Sequence, residues 1–145
     1  MSFAAVLLQV KAALDNNVAL AAFASTKWGA ALTVKIVWRN REEVASSDLP
    51  LIMITRPTVR RSRNTYRRID AASSVRLYAG FYQMDEELRQ LELIEFEEAI
   101  LDALQADSTL AGMVNSMSPA DGANDEGALG EVCFTVQEIE ITTNT

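Results

Sequence analysis

Histidine is absent from this 145-residue chain, and cysteine occurs once, at Cys133. Without histidine no Ser-His or Cys-His pair can form, and the commonest general base is missing. Zinc sites built from Cys and His clusters are excluded for the same reason. A lone cysteine closes no intramolecular disulfide, so nothing argues for an oxidising compartment. In its apolar run (VCF) it reads as a small buried hydrophobe. There is no Walker loop and no GxGxxG; Gly127 and Gly130 mark only a loop and the entry to a strand. No run approaches the ~20 apolar residues of a membrane span. Met1 to Leu14 lacks a basic leading segment and is interrupted by Gln9 and Lys11, so no secretory signal is expected. The expectation is a soluble protein made in a cytoplasm, with no enzymatic activity, no cofactor, no metal and no membrane partner.

What is present describes a folded domain. Apolar residues make up 49% of the chain against 23% charged, with only three prolines, a globular balance rather than a disordered one. The length fits one domain, which buries roughly 68–70% of its extended surface.

Phe3, Val6, Leu7, Val10 and Leu14 recur at steps of three and four, which predicts an N-terminal helix with one apolar face. Asp15, Asn16 and Asn17 weaken it, and a further helical turn through Leu20 and Phe23 precedes Gly29. Leu32, Val34, Ile36 and Trp38 alternate with more polar neighbours, so Ala31 to Arg39 reads as the first strand. After a polar loop, Leu49 to Thr55 is continuously apolar and reads as a central strand covered on both faces, with Pro50 at its start and Pro57 as its stop. Ile69 to Gln83 reads as a third strand, with a bulge or break at Ser73 and Ser74. Asp85 is a good N-cap for a long helix to about Ala106, with Leu93, Phe96, Ile100, Ala103 and Leu104 as its buried stripe. Asp107 caps a short further helix through Leu110 and Val114. Ser118 to Gly127 reads as a polar loop, and Leu129 to Ile141 as the last strand. In that strand a bulge near Gln137 would reconcile Val132, Phe134 and Val136 with Ile139 and Ile141. The expected fold is a single α/β (α+β) domain in the order α-β-β-β-α-β, one mixed or antiparallel sheet of about four strands packed with helices.

Charge is distributed unevenly. The net charge of −7 opposes binding to nucleic acid and to anionic membranes. Yet six of the thirteen basic residues lie between Arg56 and Arg68, a window without one acid. They are Arg56, Arg60, Arg61, Arg63, Arg67 and Arg68. Nine acids lie between Asp85 and Asp107 against one base, Arg89. Of these, Glu92, Glu95, Glu98 and Asp102 line a side of the long helix away from its apolar stripe. The arginine segment has three readings: a solvated loop, a phosphate-binding arm with Tyr66 as its one stacking platform, or a protein-binding arm. Folded back as a hairpin it would reach about 20 Å. In the third reading it meets the acidic helix of the next copy, a head-to-tail contact of the kind that builds rings. Asp121, Asn124, Asp125 and Glu126 offer oxygen ligands, but their spacing misses the EF-hand pattern, and a plain solvated loop is the reading adopted.

The order of these segments resembles the tail terminator (tail completion) proteins of long-tailed phages, the family of the lambda minor tail protein U. The segments in question are LPLIMITRP with its long excursion, VRLYAGFY, the acidic helix ending ALQADSTLAGMV, the acidic glycine-containing loop and the final GEVCFTVQEIEIT. The similarity covers nearly the whole chain and rests on layout, with no invariant motif. It implies a non-enzymatic α/β subunit that forms a hexameric ring on the end of the tail tube. Such a ring stops tube polymerisation and presents a surface to the neck of the filled head. The implied partners are other copies of the chain, the tail tube protein and a neck or head-closure protein. The resemblance transfers no site residues, and it leaves open whether the arginine segment faces a subunit, the tube or DNA in the lumen. Another head–tail connector, or a DNA-contacting module, are the alternative functions.

Overall fold

Val6, Val10 and Leu14, one helical turn apart, are the buried residues of helix α1 (Phe3–Asp15), and Phe3 and Leu7 pack beside them as their spacing predicts. The computed structural model describes residues 3–65, 68–107, 110, 112, 114, 116–124 and 131–144. The polar break after Leu14 ends α1 and caps its successor: the Leu20 backbone N–H donates to the Asn17 side chain at 2.9 Å. That successor is a full helix, α2 (Val18–Trp28), bent by 57° from α1. Only Leu20 and Ala24 of α2 are buried, so its periodicity is weak in the sequence. Gly29 closes it at φ 64°, a left-handed conformation that glycine adopts without strain, and donates its N–H to Ser25 at 2.9 Å.

Among the described residues five strands make one mixed sheet in the order β1-β2-β3-β5-β4. They are β1 (Thr33–Lys35), β2 (Leu51–Thr65), β3 (Arg68–Tyr82), β4 (Ser116–Asn124) and β5 (Val132–Asn144), with helix α3 (Glu86–Gln105) between β3 and β4. Only β1 runs parallel to its neighbour, β2; the other pairs are antiparallel. Ile52 and Ile54, with Val75, Leu77, Ala79 and Phe81, face the three helices in the main core. Leu51 and Met53 face a second, smaller core that Val44 and Leu49 close from the other side. The continuous LIMI run is therefore covered on both faces, as expected of a central strand.

Several expectations are corrected. The first strand is three residues long, not nine. After Lys35 the chain passes beneath the sheet, where Val37 joins the second core and Trp38 meets Tyr78 edge-on at 6.4 Å. Pro57 does not stop β2. Arg56 and Pro57 together oppose Val75 in a bulge, which absorbs a residue lacking an N–H, while β3 runs unbroken through Ser73 and Ser74. β5 has no bulge at Gln137 either; its register with β3 is continuous from Asp70↔Asn144 to Tyr82↔Val132. Cys133, Ile139 and Ile141 lie in the main core, and Val132 and Phe134 pack against the second, so both parities have an apolar destination. The segment read as a polar loop from Ser118 contains a fifth strand, β4, which pairs along β5 with a bulge at Ala120 and Asp121. No helix runs through Leu110, whose φ of 48° and the φ of 83° at Gly112 are incompatible with one. Among the described residues no single helix is long and apolar enough to cross a membrane.

Gly80 pairs with Phe134, and a Cβ built on it would stand 2.5 Å from the Phe134 ring. Gly80→Ala is therefore expected to lower stability by about 1–3 kcal/mol through overpacking. Denaturant melts of Gly80→Ala alone and combined with Phe134→Leu check this; the double variant should recover part of the loss.

Candidate functional site

Helix α3 carries four of the residues singled out by charge, and its start is set by Asp85. That carboxylate accepts the backbone N–H groups of Glu87 and Leu88 at 3.0 and 3.1 Å, at the end where the helix dipole favours anions. From there Leu93, Phe96, Ile100, Ala103 and Leu104 turn into the core, as their spacing predicts.

The predicted acidic face does not hold together as one surface. Glu92 is 4% exposed and belongs to the interior. Its carboxylate accepts the Trp28 indole N–H at 2.7 Å and the Gln83 side-chain amide at 2.9 and 3.2 Å. The sequence signal was available: Glu92 precedes Phe96 by four residues and Phe96 precedes Ile100 by four, so it sits on the apolar stripe. Glu95 is half-buried and paired with Lys27 at 2.8 Å, across to α2. The hydrogen bond to Glu95 raises the Lys27 amino group above its usual 10.5, with burial opposing it and the Glu95 and Glu92 charges adding to the rise. The pair's contribution is therefore complete below about pH 10.5 and is lost as pH climbs beyond it, outside any ordinary working range. Glu98 and Asp102 remain exposed, and among the described residues neither makes an ion pair or side-chain hydrogen bond.

Those two acids edge a groove of about 380 Å³ between α3 and β4. Leu101, Leu104, Met117, Pro119 and Ile139 line it, with Gln105 at one end. Farther along the same helix Glu97 leans over β4, its carboxylate 3.6 Å from where a Cβ on Gly122 would stand. Sequence reading missed the groove because it took the β4 segment for a loop. It also missed that Leu88, Leu91 and Ile94, spaced three apart, leave apolar surface exposed on α3. A second hollow of about 530 Å³ lies between the end of α2 and the Ser46–Pro50 segment. Beside it Tyr82 donates its hydroxyl to Glu131 at 3.3 Å, and burial, with the Glu131 charge second, raises its phenol above the usual 10.

The arginine cluster is divided as well. Arg56 sits at the β2 bulge with its guanidinium 4.5 Å from the Phe3 ring centroid, a cation–π contact with α1. Arg60, Arg61 and Arg63 lie on β2 and Arg68 on β3, paired as a long hairpin through Thr65↔Arg68. Their side chains, and Tyr66 and Arg67 entirely, lie outside the described residues. The hairpin is less free than a 20 Å arm, because β5 backs β3 as far as Asp70↔Asn144. Asp125 and Glu126 lie outside the described residues, and Asp121 and Asn124 belong to β4. Among the described residues no group of acids and cysteine is placed to hold a metal ion.

Glu92→Ala is expected to cost about 1–3 kcal/mol, since it leaves the Trp28 and Gln83 donors without their acceptor, whereas Glu98→Ala should change stability by less than about 0.5 kcal/mol. Thermal melts of the two variants side by side separate the interior acid from the surface one. No protein-family model matches the chain, and no curated protein is similar enough to count as a relative.

Proposed function

We propose that this chain is a non-enzymatic structural subunit of a phage virion, a tail terminator that closes as a ring on the end of the tail tube. The ring stops tube polymerisation and gives the neck of the filled head a surface to join. The observation that carries this reading is the separation of opposite charges, basic residues on a hairpin of the sheet and acidic ones on the helix packed over its far side. Arg56, Arg60, Arg61, Arg63 and Arg68 lie on the β2–β3 hairpin, and Glu98 and Asp102 of α3, unpaired among the described residues, lie beside β4 across the sheet. A contact between two different faces of one chain is heterologous, and repeated around an axis it closes a ring. The α+β layout, the long excursion between two central strands and the absence of histidine agree with the resemblance to tail terminators. The partners in this reading are further copies of the chain, the tail tube protein and a head-closure protein.

Electron microscopy of particles from a parent phage lacking this gene tests the reading. Overlong or irregular tubes, unattached to filled heads, are expected. Tails of uniform length that merely fail to join heads would reassign the protein to another neck role, and normal virions would overturn the structural reading. In solution, replacing Arg60, Arg61 and Arg63 together by glutamate should weaken assembly on the order of 100-fold, measured by light scattering, while leaving the melting temperature of the subunit unchanged. If the hairpin instead serves DNA, the wild-type chain will bind duplex with an affinity that falls steeply as salt rises.

A further inference from the structure

We infer that the groove between α3 and β4 seats the β2–β3 hairpin of a second copy, with arginine stems on its apolar floor and guanidinium heads on Glu98 and Asp102. This rests on the ring reading and says where its contact lies. The floor, formed by Leu101, Leu104, Met117 and Ile139, is too apolar for a merely solvated acidic face. Glu98 and Asp102 stand one helical turn apart on the rim, where like charges repel unless a cation comes between them. Arginine suits both parts, since its stem covers apolar surface and its planar fork grips carboxylates. Glu92 and Glu95, satisfied within the subunit, take no part.

The occupant cannot be the subunit's own hairpin. β3 is bound on both sides as far as Asp70, and β2 and β4 are three strand spacings apart, about 14 Å. Nor does the edge of β4 favour simple strand addition, because Pro119 lacks an N–H and the bulge at Ala120 and Asp121 interrupts the strand. Insertion of side chains into the groove is the mode left to a basic hairpin from another copy.

A charge-swap experiment on the full chain tests this. One variant reverses the groove (Glu98→Arg with Asp102→Arg), and the other reverses the hairpin (Arg60→Glu, Arg61→Glu, Arg63→Glu). Each alone should weaken self-association on the order of 100-fold, and an equimolar mixture should assemble again with the two alternating. Both substitutions are at exposed or hairpin positions, and unchanged melting curves verify the fold. Should the groove reversal perturb it, Glu98→Gln with Asp102→Asn is the second variant, expected to weaken association about tenfold. Wild-type rings with a groove variant that still assembles alone overturn the groove contact and leave the ring reading standing. Two variants that fail alone and also fail when mixed overturn it equally. A wild-type chain that stays monomeric at every concentration overturns the ring reading, and the groove contact with it.

Discussion

The Glu92 carboxylate, buried between the Trp28 indole and the Gln83 amide, fixes three elements to one another. Removing a charge from water is costly unless donors replace the water, and here two side chains from different elements do so. Trp28 is held in turn by rings: it stacks on Phe81 of β3 at 4.7 Å and meets Phe96 of α3 edge-on at 4.9 Å. Gln83 joins the strand to the helix from the other side. Its backbone N–H donates to Glu131, its side-chain oxygen accepts from the Asp85 N–H, and its carbonyl accepts from Arg89. The start of α3, the end of α2 and the corner after β3 therefore share one polar knot inside an aromatic cluster. The position of α3 over the sheet, and so the groove at its far end, depends on that knot.

The sheet that α3 crosses is apolar on both sides along its middle. Three helices cover one face, and the chain from Val37 to Leu49 covers part of the other. This explains how a small domain supports strands as long as β2 and β3, fifteen residues each, with a bulge admitting Pro57. It also means that the hairpin is a continuation of the sheet. The β2–β3 hairpin and β4 lie apart in the sheet, with the paired backbones of β3 and β5 between β2 and β4.

Most of the helical structure and the centre of the sheet were legible in the sequence, because they depend on spacing along the chain. The stripe Leu93, Phe96, Ile100 and the turn-spaced Val6, Val10, Leu14 say which side of each helix is buried. The run Leu51 to Ile54 says that its strand is covered twice, and Asp85 says where α3 begins. The segregation of arginines from acids was equally plain.

Which acids are available was not plain, because it depends on partners distant in sequence: Trp28 lies 64 residues from Glu92. Glu95 is likewise claimed by Lys27 on another helix. The parity of β5 was misread as a bulge because one apolar face was assumed where the sheet has two. The strand β4 was invisible because SPADGAN has little intrinsic preference for extended structure; it pairs because β5 offers it an open edge. Sequence by itself determined the helical faces, the doubly covered strand and the two opposite charge clusters, since periodicity and composition are properties of a line. Tertiary structure alone decided which carboxylates are internal, how far the sheet extends and where the groove lies. Those outcomes are set by hydrogen-bonding and burial between elements that meet only when the chain folds.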